Sequence, residues 1–297
     1  MISPAKINLG LKVLYKRPDN YHNIESIFLK LNWGDDVEFK KTNLNTIRLF
    51  SKNELTGIKY ELFEEVSERG DFTKNILFKT FEKVKNIADL NFGIDIHLTK
   101  RIPPGGGLGG GSTNAASLLL FIKESLPEKF SESINQIAPS IGADIPFFLS
   151  EGNFHVSGIG EILNPIQIAS GNGILAIPPF SINTKDSYLS LKKPLQSDWV
   201  QKSWSLLDKD SSFAMQEGDW SKLQDRFEND FEGYAFSEFP ELKALKQDLY
   251  RFGCSFASMT GTGSCMYGFV KDREHGKNIL ERMLPIYPNH YFIQFSF

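Results

Sequence analysis

Apolar and polar positions alternate from the start of the chain. Ile7, Leu9 and Leu11 alternate with Asn8, Gly10 and Lys12, which predicts a strand over Ala5–Val13 with Lys6 and Asn8 sharing the face opposite the apolar residues. Pro18, Asp19 and Asn20 interrupt the pattern and predict a turn within 16–28, with Tyr21 and His22 at its exit. Residues 33–62 read as paired strands around Val37, Phe39, Ile47 and Leu49. The period then changes: Leu77, Phe81, Val84 and Ala88 fall at helical spacing, opened by Thr73 and followed by Lys74, Asn75 and Ile76. Ile94, Ile96 and Leu98 return to alternation, with Asp95, His97 and Thr99 between them. After a glycine run come the apolar stretch Leu118–Ile122 and a further helix carrying Ile134, Ile137 and Ile141, which Gly142 ends.

A second unit is predicted to begin near residue 165, giving domains over 1–165 and 166–297. It starts with a strand at Ile174–Ile177 and a polar loop at 181–188 that carries Thr184 and Tyr188. Two amphipathic helices follow, one on Trp220, Leu223 and Phe227 and one on Leu242, Leu245 and Leu249, closed by Gly253. A turn at 259–265, a strand at Met266–Val270, a helix over 272–283 and the alternating Tyr291, Ile293 and Phe295 complete an order that suggests an α+β sandwich of ferredoxin-like type.

Residues 101–116, RIPPGGGLGGGSTNAA, stand apart from these patterns. Glycine loses the most backbone entropy on folding, so a run from Gly105 to Gly111 broken only by Leu108 is costly unless the backbone itself has work to do. Ser112, Thr113 and Asn114 are N-cap types at the head of an apolar helix. Strand, glycine loop and helix N-terminus together make an anion site, and Lys100 and Arg101 add positive charge at its mouth. The alternative on pattern alone is a structural turn or a linker. A P-loop requires G-x-x-x-x-G-K-S/T, and no lysine follows these glycines. A dinucleotide fold requires a second parallel strand after the helix, where this chain carries another helix. A loop stiffened by Pro103 and Pro104 and wrapped around a nucleotide triphosphate remains.

Composition narrows the classes. The chain has 297 residues, enough for two modest domains, and its 41% hydrophobic content is that of an ordinary globule. A net charge of −3 argues against nucleic acid or an anionic membrane as the main partner. No leader-like opening and no long apolar run occur, and the two cysteines, Cys254 and Cys265, suit a reducing cytoplasm. The histidines are scattered without metal-ligand spacing, so no zinc site is expected. Three places mix functional and ordinary readings. Lys6 could be a solvated strand lysine. Tyr21 and His22 suit stacking on a heterocyclic base but also an ordinary turn. Asp144, beside the apolar run Ile145–Leu149, could be a turn carboxylate or one that is used.

The glycine stretch resembles the second motif of the GHMP kinases, a family of small-molecule kinases. SPAKINLGL at 3–11 and MTGTGSC at 259–265 resemble its first and third motifs. KRPDNYHNIESIF with NWGDDV behind it, IGADIPFF, GIGEIL and NDFE fall between them in order, so the likeness spans nearly the whole chain. The resemblance implies a two-domain α+β kinase, the first domain similar to ribosomal protein S5 domain 2 and the second ferredoxin-like. It implies ATP and Mg²⁺ as cofactors and, in the branch most similar, a cytidyl-diphospho-methylerythritol as acceptor. Lys6 and Asp144 would form the catalytic pair. Pro104, Gly105, Gly106, Gly107, Leu108, Gly109, Gly110, Gly111, Ser112, Thr113 and Asn114 would hold the phosphates, with Ser112 a contact for Mg²⁺ and Gly263 at the phosphate end. Lys74, Asn75, Ile76 and Lys100 would surround the adenine. Asn8, Tyr21, His22, Thr184 and Tyr188 would serve the acceptor, His22 reading the cytosine.

Three positions depart from the pattern: Thr113 stands where serine is usual, Tyr188 where phenylalanine is, and Asn183 where proline is frequent. Expected partners are small molecules, with neither nucleic acid nor membrane, and the expected state is a monomer or weak homodimer. The rival readings are another GHMP kinase of homoserine or mevalonate type and, from a different class, a non-catalytic RNA-binding protein, which the net charge opposes.

Overall fold

The chain is described here by a computed structural model covering residues 1–55, 75–88, 90–126, 129–199 and 206–297. Its elements are, in order, β1 (Ile2–Lys16), β2 (His22–Thr42), β3 (Ile47–Asn53), α1 (Ile76–Ala88), β4 (Gly93–Lys100), α2 (Gly110–Ser125), α3 (Lys129–Ile141) and α4 (Ile145–Leu149). There follow β5 (Asn153–Ser157), β6 (Ile162–Ile166), β7 (Asn172–Ile177), α5 (Thr184–Ser190), α6 (Lys209–Glu217), α7 (Glu232–Glu238) and α8 (Pro240–Arg251). The last are β8 (Phe256–Met259), β9 (Met266–Val270), α9 (Arg273–Met283) and β10 (Tyr291–Ser296). The expected domain boundary near residue 165 falls within β6. Two compact units are built from discontinuous segments: Met1–Ala5, Trp33–Pro104 and Gly109–Glu151 in one, and Lys6–Asn32, Gly105–Leu108 and Gly152–Phe297 in the other.

In the first unit, β4 lies between β2 and β3. Val37 and Phe39 of β2 face Leu98 and Ile96 antiparallel, while Ile47 and Leu49 of β3 run parallel to Ile94 and Ile96. The strands expected to pair with each other within 33–62 therefore both pair with β4. A parallel pair needs a crossover, and α1 lies on the connection between β3 and β4. The core is apolar and drawn from several elements: Leu77, Phe81 and Val84 from α1, Leu118, Leu119 and Ile122 from α2, and Ile145 and Phe147 from α4 are all buried. Thr73, expected to open α1, lies outside the described residues.

In the second unit, an antiparallel sheet runs β10-β7-β9-β8. Its core gathers Ile174, Ala176, Met259 and Met266 from the strands with Leu242, Leu245 and Leu249 from α8 and Ile279 from α9. The helix expected on Trp220, Leu223 and Phe227 is instead one short 3₁₀ turn over Trp220–Leu223. All three side chains are still buried. Backbone bonds between Leu11 and both Glu228 and Asp230 draw the segment after that turn alongside β1, which a continued helix could not allow. The polar loop expected at 181–188 becomes α5 from Thr184 onward. Asn183 caps it by accepting from the amides of Lys185 and Asp186, so the residue in place of proline supplies the helix start.

Candidate active site

Lys6 is not a solvated strand lysine. Residues Ala5 to Leu11 are buried on both faces of β1, and Lys6 keeps only 4% of its surface exposed. A long cation is costly to bury unless it is held, and the Lys6 ammonium donates to Asn8 Oδ1 at 2.6 Å and lies 4.6 Å from the centre of the Phe28 ring. Asn8 is engaged in several directions at once. Its Oδ1 also accepts from the Gly261 amide at 2.9 Å, and its Nδ2 donates to Ser26 Oγ at 2.9 Å. Its backbone amide donates to Thr260 Oγ1 at 3.2 Å, and its carbonyl accepts from the Tyr267 hydroxyl at 2.8 Å.

The glycine loop meets the same cluster. Thr260 Oγ1 donates to the Gly107 carbonyl at 3.1 Å, and the Lys6 amide donates to the Leu108 carbonyl at 3.1 Å. A Cβ on Gly107 would stand 2.0 Å from the Thr260 carbonyl oxygen, and its φ of +77° lies in the left-handed region. Gly105, Gly107 and Gly109 all have positive φ, so every second residue of the run from 105 to 109 holds the left-handed backbone conformation that glycine adopts without strain. Gly261 also lies close against the loop: a Cβ on it would be 2.9 Å from the Gly107 Cα. Gly263 is buried, and its amide closes the turn on the Thr260 carbonyl at 3.0 Å.

His22 and Tyr188 form a second cluster, with rings stacked 4.9 Å apart at 27°. Burial, then the nearby charges of Lys16 and Lys193, hold the His22 pKa below the ordinary histidine value, so the neutral ring prevails at pH 7. Tyr188 also meets the edge of Phe231 at 4.8 Å. Tyr21 is 60% exposed, and Thr184 Oγ1 pairs with Thr262 Oγ1 at 3.1 Å.

The other unit carries the second half of the loop. Helix α2 begins at Gly110, with Gly109 as a left-handed cap that offers no side chain. Ser112, Thr113 and Asn114, expected as capping residues, therefore lie inside the first turn. Asn114 Nδ2 donates to Asp35 Oδ2 at 2.9 Å, while Thr113 Oγ1 and Asn114 Oδ1 are buried without a partner. Lys100, expected near the adenine, has its ammonium paired with the same Asp35 carboxylate. Asn75 Oδ1 accepts from the Leu77 amide at 2.9 Å, which starts α1. Ile76 lies 3.6 Å from where a Cβ on Gly111 would sit. Lys74 lies outside the described residues. Asp144 is half-buried at the N-terminus of α4, where it makes no side-chain cap bond, with Pro146 in the first turn. A Cβ on Gly142 would be 3.6 Å from Ser112 Oγ, so the head of α2 and the turn leading into Asp144 adjoin.

Several supporting residues escaped sequence reasoning. Asn229 Nδ2 donates to the carbonyls of Met259 and Gly261, both at 2.8 Å, and fixes the Gly261 turn from beneath. Glu232 accepts from the Met259 amide at 2.9 Å and from Lys246. Thr260 and Asp35 are wholly buried polar residues. The NDFE and NWGDDV stretches contained three of these four, but nothing in their spacing indicates which backbone they reach.

Among the described residues no group of three or more His, Cys, Asp or Glu could hold a metal, and no helix is long and apolar enough to cross a membrane. The description "GHMP kinases N terminal domain" matches residues 75–152, and "GHMP kinases C terminal" matches residues 214–289. A protein of Leptospira interrogans named 4-diphosphocytidyl-2-C-methyl-D-erythritol kinase is 48% identical over 297 residues, covering 100% of both chains. One of the same name from Leptospira biflexa is 42% identical, covering 100% of this chain and 98% of its own. A crystal structure of 4-(cytidine 5'-diphospho)-2C-methyl-D-erythritol kinase superposes with a TM-score of 0.77 at 25% identity, covering 100% of this chain and 98% of that one. The fold, the glycine loop seated on the Thr260 turn and these full-length matches agree: this chain belongs to the GHMP kinases and, within them, to the family of the 4-diphosphocytidyl-2-C-methyl-D-erythritol kinases.

Proposed function

We propose that the chain transfers the γ-phosphoryl group of ATP to the 2-hydroxyl of 4-diphosphocytidyl-2-C-methyl-D-erythritol, a step that supplies isoprenoid precursors without mevalonate. The observation that carries this reading is the full-length identity of 48% to a relative of that name. In phosphoryl transfer, positioning and charge stabilisation supply most of the catalysis. Asp144 takes the proton of the acceptor hydroxyl as its oxygen attacks the γ-phosphorus and the bond from that phosphorus to the β-phosphate oxygen breaks, releasing ADP. Lys6, held by Asn8, offsets the charge that builds at the reacting oxygens. The amides of the Gly105–Asn114 stretch hold the phosphates, and the neutral ring of His22 hydrogen-bonds the cytosine while Tyr21 and Tyr188 stack on it.

A magnesium ion takes hard oxygen donors and commonly rests on substrate phosphates plus one or two protein oxygens. The Ser112 hydroxyl, in the first turn of α2 and beside the turn into Asp144, fits that habit. Bound there with ATP, the ion would neutralise phosphate charge. The chain is read as acting on small molecules in the cytoplasm.

The test is ADP release with ATP and Mg²⁺ against 4-diphosphocytidyl-methylerythritol, homoserine and mevalonate in parallel. Turnover on the cytidyl acceptor alone is expected. Turnover only on another acceptor would keep a kinase and retire the His22 and Tyr188 assignments.

A further inference from the structure

The glycine run is joined at both ends by one side chain that the reaction does not otherwise use. Asp35, on β2, is completely buried. Its Oδ1 accepts from the amides of Arg101 at 2.7 Å and Ile102 at 2.8 Å, the residues that lead into the run. Its Oδ2 accepts from Asn114 Nδ2 at 2.9 Å, in the first turn of the helix that follows the run, and from the Lys100 ammonium. A carboxylate has about four lone-pair sites, and here four donors fill them. The two ends are also in van der Waals contact, since a Cβ on Gly110 would stand 2.8 Å from Ile102 Cγ2.

A buried ion pair is often no more stabilising than a well-packed apolar pair, so stability alone gives a weak reason for a carboxylate here. What the carboxylate does supply is geometry. It fixes the residues at and just after the end of β4 against the N-terminal turns of α2, and so sets the span that the intervening backbone must close. It also fixes the orientation of the Asn114 amide and holds the Lys100 cation against the loop's base. Arg101 is tied from outside as well, by Asp36 at 2.6 Å and Glu54 at 2.9 Å, so the same residue is anchored by backbone and side chain.

We propose that Asp35 is a positioning residue for the triphosphate of ATP, a clasp that holds the two ends of the glycine loop at the separation at which its amides converge on the phosphates. This rests on the reading of that loop as the phosphate site. The β- and γ-phosphates are the groups that depend on the clasp; the nucleoside is not.

The test compares ATP with AMP as ligands for the full-length protein and for Asp35→Asn, by calorimetric titration, together with KM for ATP and for the cytidyl acceptor. Asp35→Asn is expected to weaken ATP binding by about tenfold or more, with AMP affinity and acceptor KM within about twofold. A variant that is less heat-stable but keeps the native ATP-to-AMP ratio would overturn the proposal and leave Asp35 a structural residue. If the unaltered protein itself binds ATP no better than AMP, the phosphate-loop reading fails and the clasp fails with it. Should Asp35→Asn not fold, amide hydrogen exchange on the unaltered protein still decides. The Arg101 and Ile102 amides are expected to be protected like those of β4, and exchange as fast as exposed loop amides would overturn the clasp.

Discussion

Asn8 Oδ1 and the Gly261 amide are joined by a hydrogen bond of 2.9 Å between residues 253 apart in sequence. The same oxygen holds the Lys6 ammonium at 2.6 Å, so the first and third motifs meet at one atom. Asn8 was expected to serve the acceptor; its side chain is engaged with Lys6, Ser26 and the Gly261 turn. Replacing Asn8 with Ala removes the partner of a part-buried amide and should lower the free energy of unfolding by about 1–3 kcal/mol, with turnover falling further as Lys6 loses its orientation. Urea unfolding and steady-state kinetics on the same preparation check both. Unchanged turnover would show that Lys6 needs no such support.

For Asp144, the expected consequence of replacement by Asn is retained ATP binding and a loss of turnover of about 10²–10⁴-fold, the usual range for a positioned base. Calorimetry with ATP and single-turnover kinetics separate the two. Near-normal turnover would sink the assignment.

The His22 ring should make acceptor binding sensitive to acid. Its pKa in the folded protein is lowered, so the neutral form is favoured by folding. The contribution of that form is therefore fully present above the ordinary histidine value of about 6.5 and lost as pH falls through the lowered value. KM for the cytidyl acceptor should be flat above neutrality and rise on acidification, while KM for ATP shows no matching rise. His22→Ala should raise acceptor KM above neutrality and abolish its further rise on acidification, and an effect confined to ATP would refute the cytosine role.

Gly107 tests how closely the loop rests on the turn beneath it. Alanine there would meet the Thr260 carbonyl at 2.0 Å while the backbone holds a φ of +77°. The left-handed conformation alone costs a residue with a side chain about 1–3 kcal/mol. Gly107→Ala should lower the melting temperature and weaken ATP binding together. A variant as stable as the parent would mean that the loop can lift from Thr260 freely.

The periodicities were legible where one element meets one core. Alternation gave β4 and β10, helical spacing gave α1 and α8, and the MTGTGSC turn of 259–265 leads into the strand expected at Met266–Val270. The errors arose where the pattern served two partners. Trp220, Leu223 and Phe227 have helical spacing, yet they are buried from a short turn because Leu11 captures the backbone of Glu228 and Asp230. Asn183, which stands where proline is frequent, proved to be the cap that orders a helix. Lys6 could be placed on a face of its strand from sequence, but whether that face was wet or dry depended on side chains such as Phe28 that only folding brings over it.

By itself, the sequence determined the local chemistry: a glycine run between a strand and a helix N-terminus, a lysine on an apolar strand, an imidazole beside a tyrosine, and motifs in an order that marked the family. Tertiary structure decided which groups are spent on one another. Asn8 is bound to Gly261, Thr260 to Gly107, and Asp35 to both ends of the glycine run. The reason is physical. Periodicity reports how a residue faces its own element, whereas a buried polar group must find its partner wherever the folded chain brings one within about 3 Å, and that distance has no signature along the sequence.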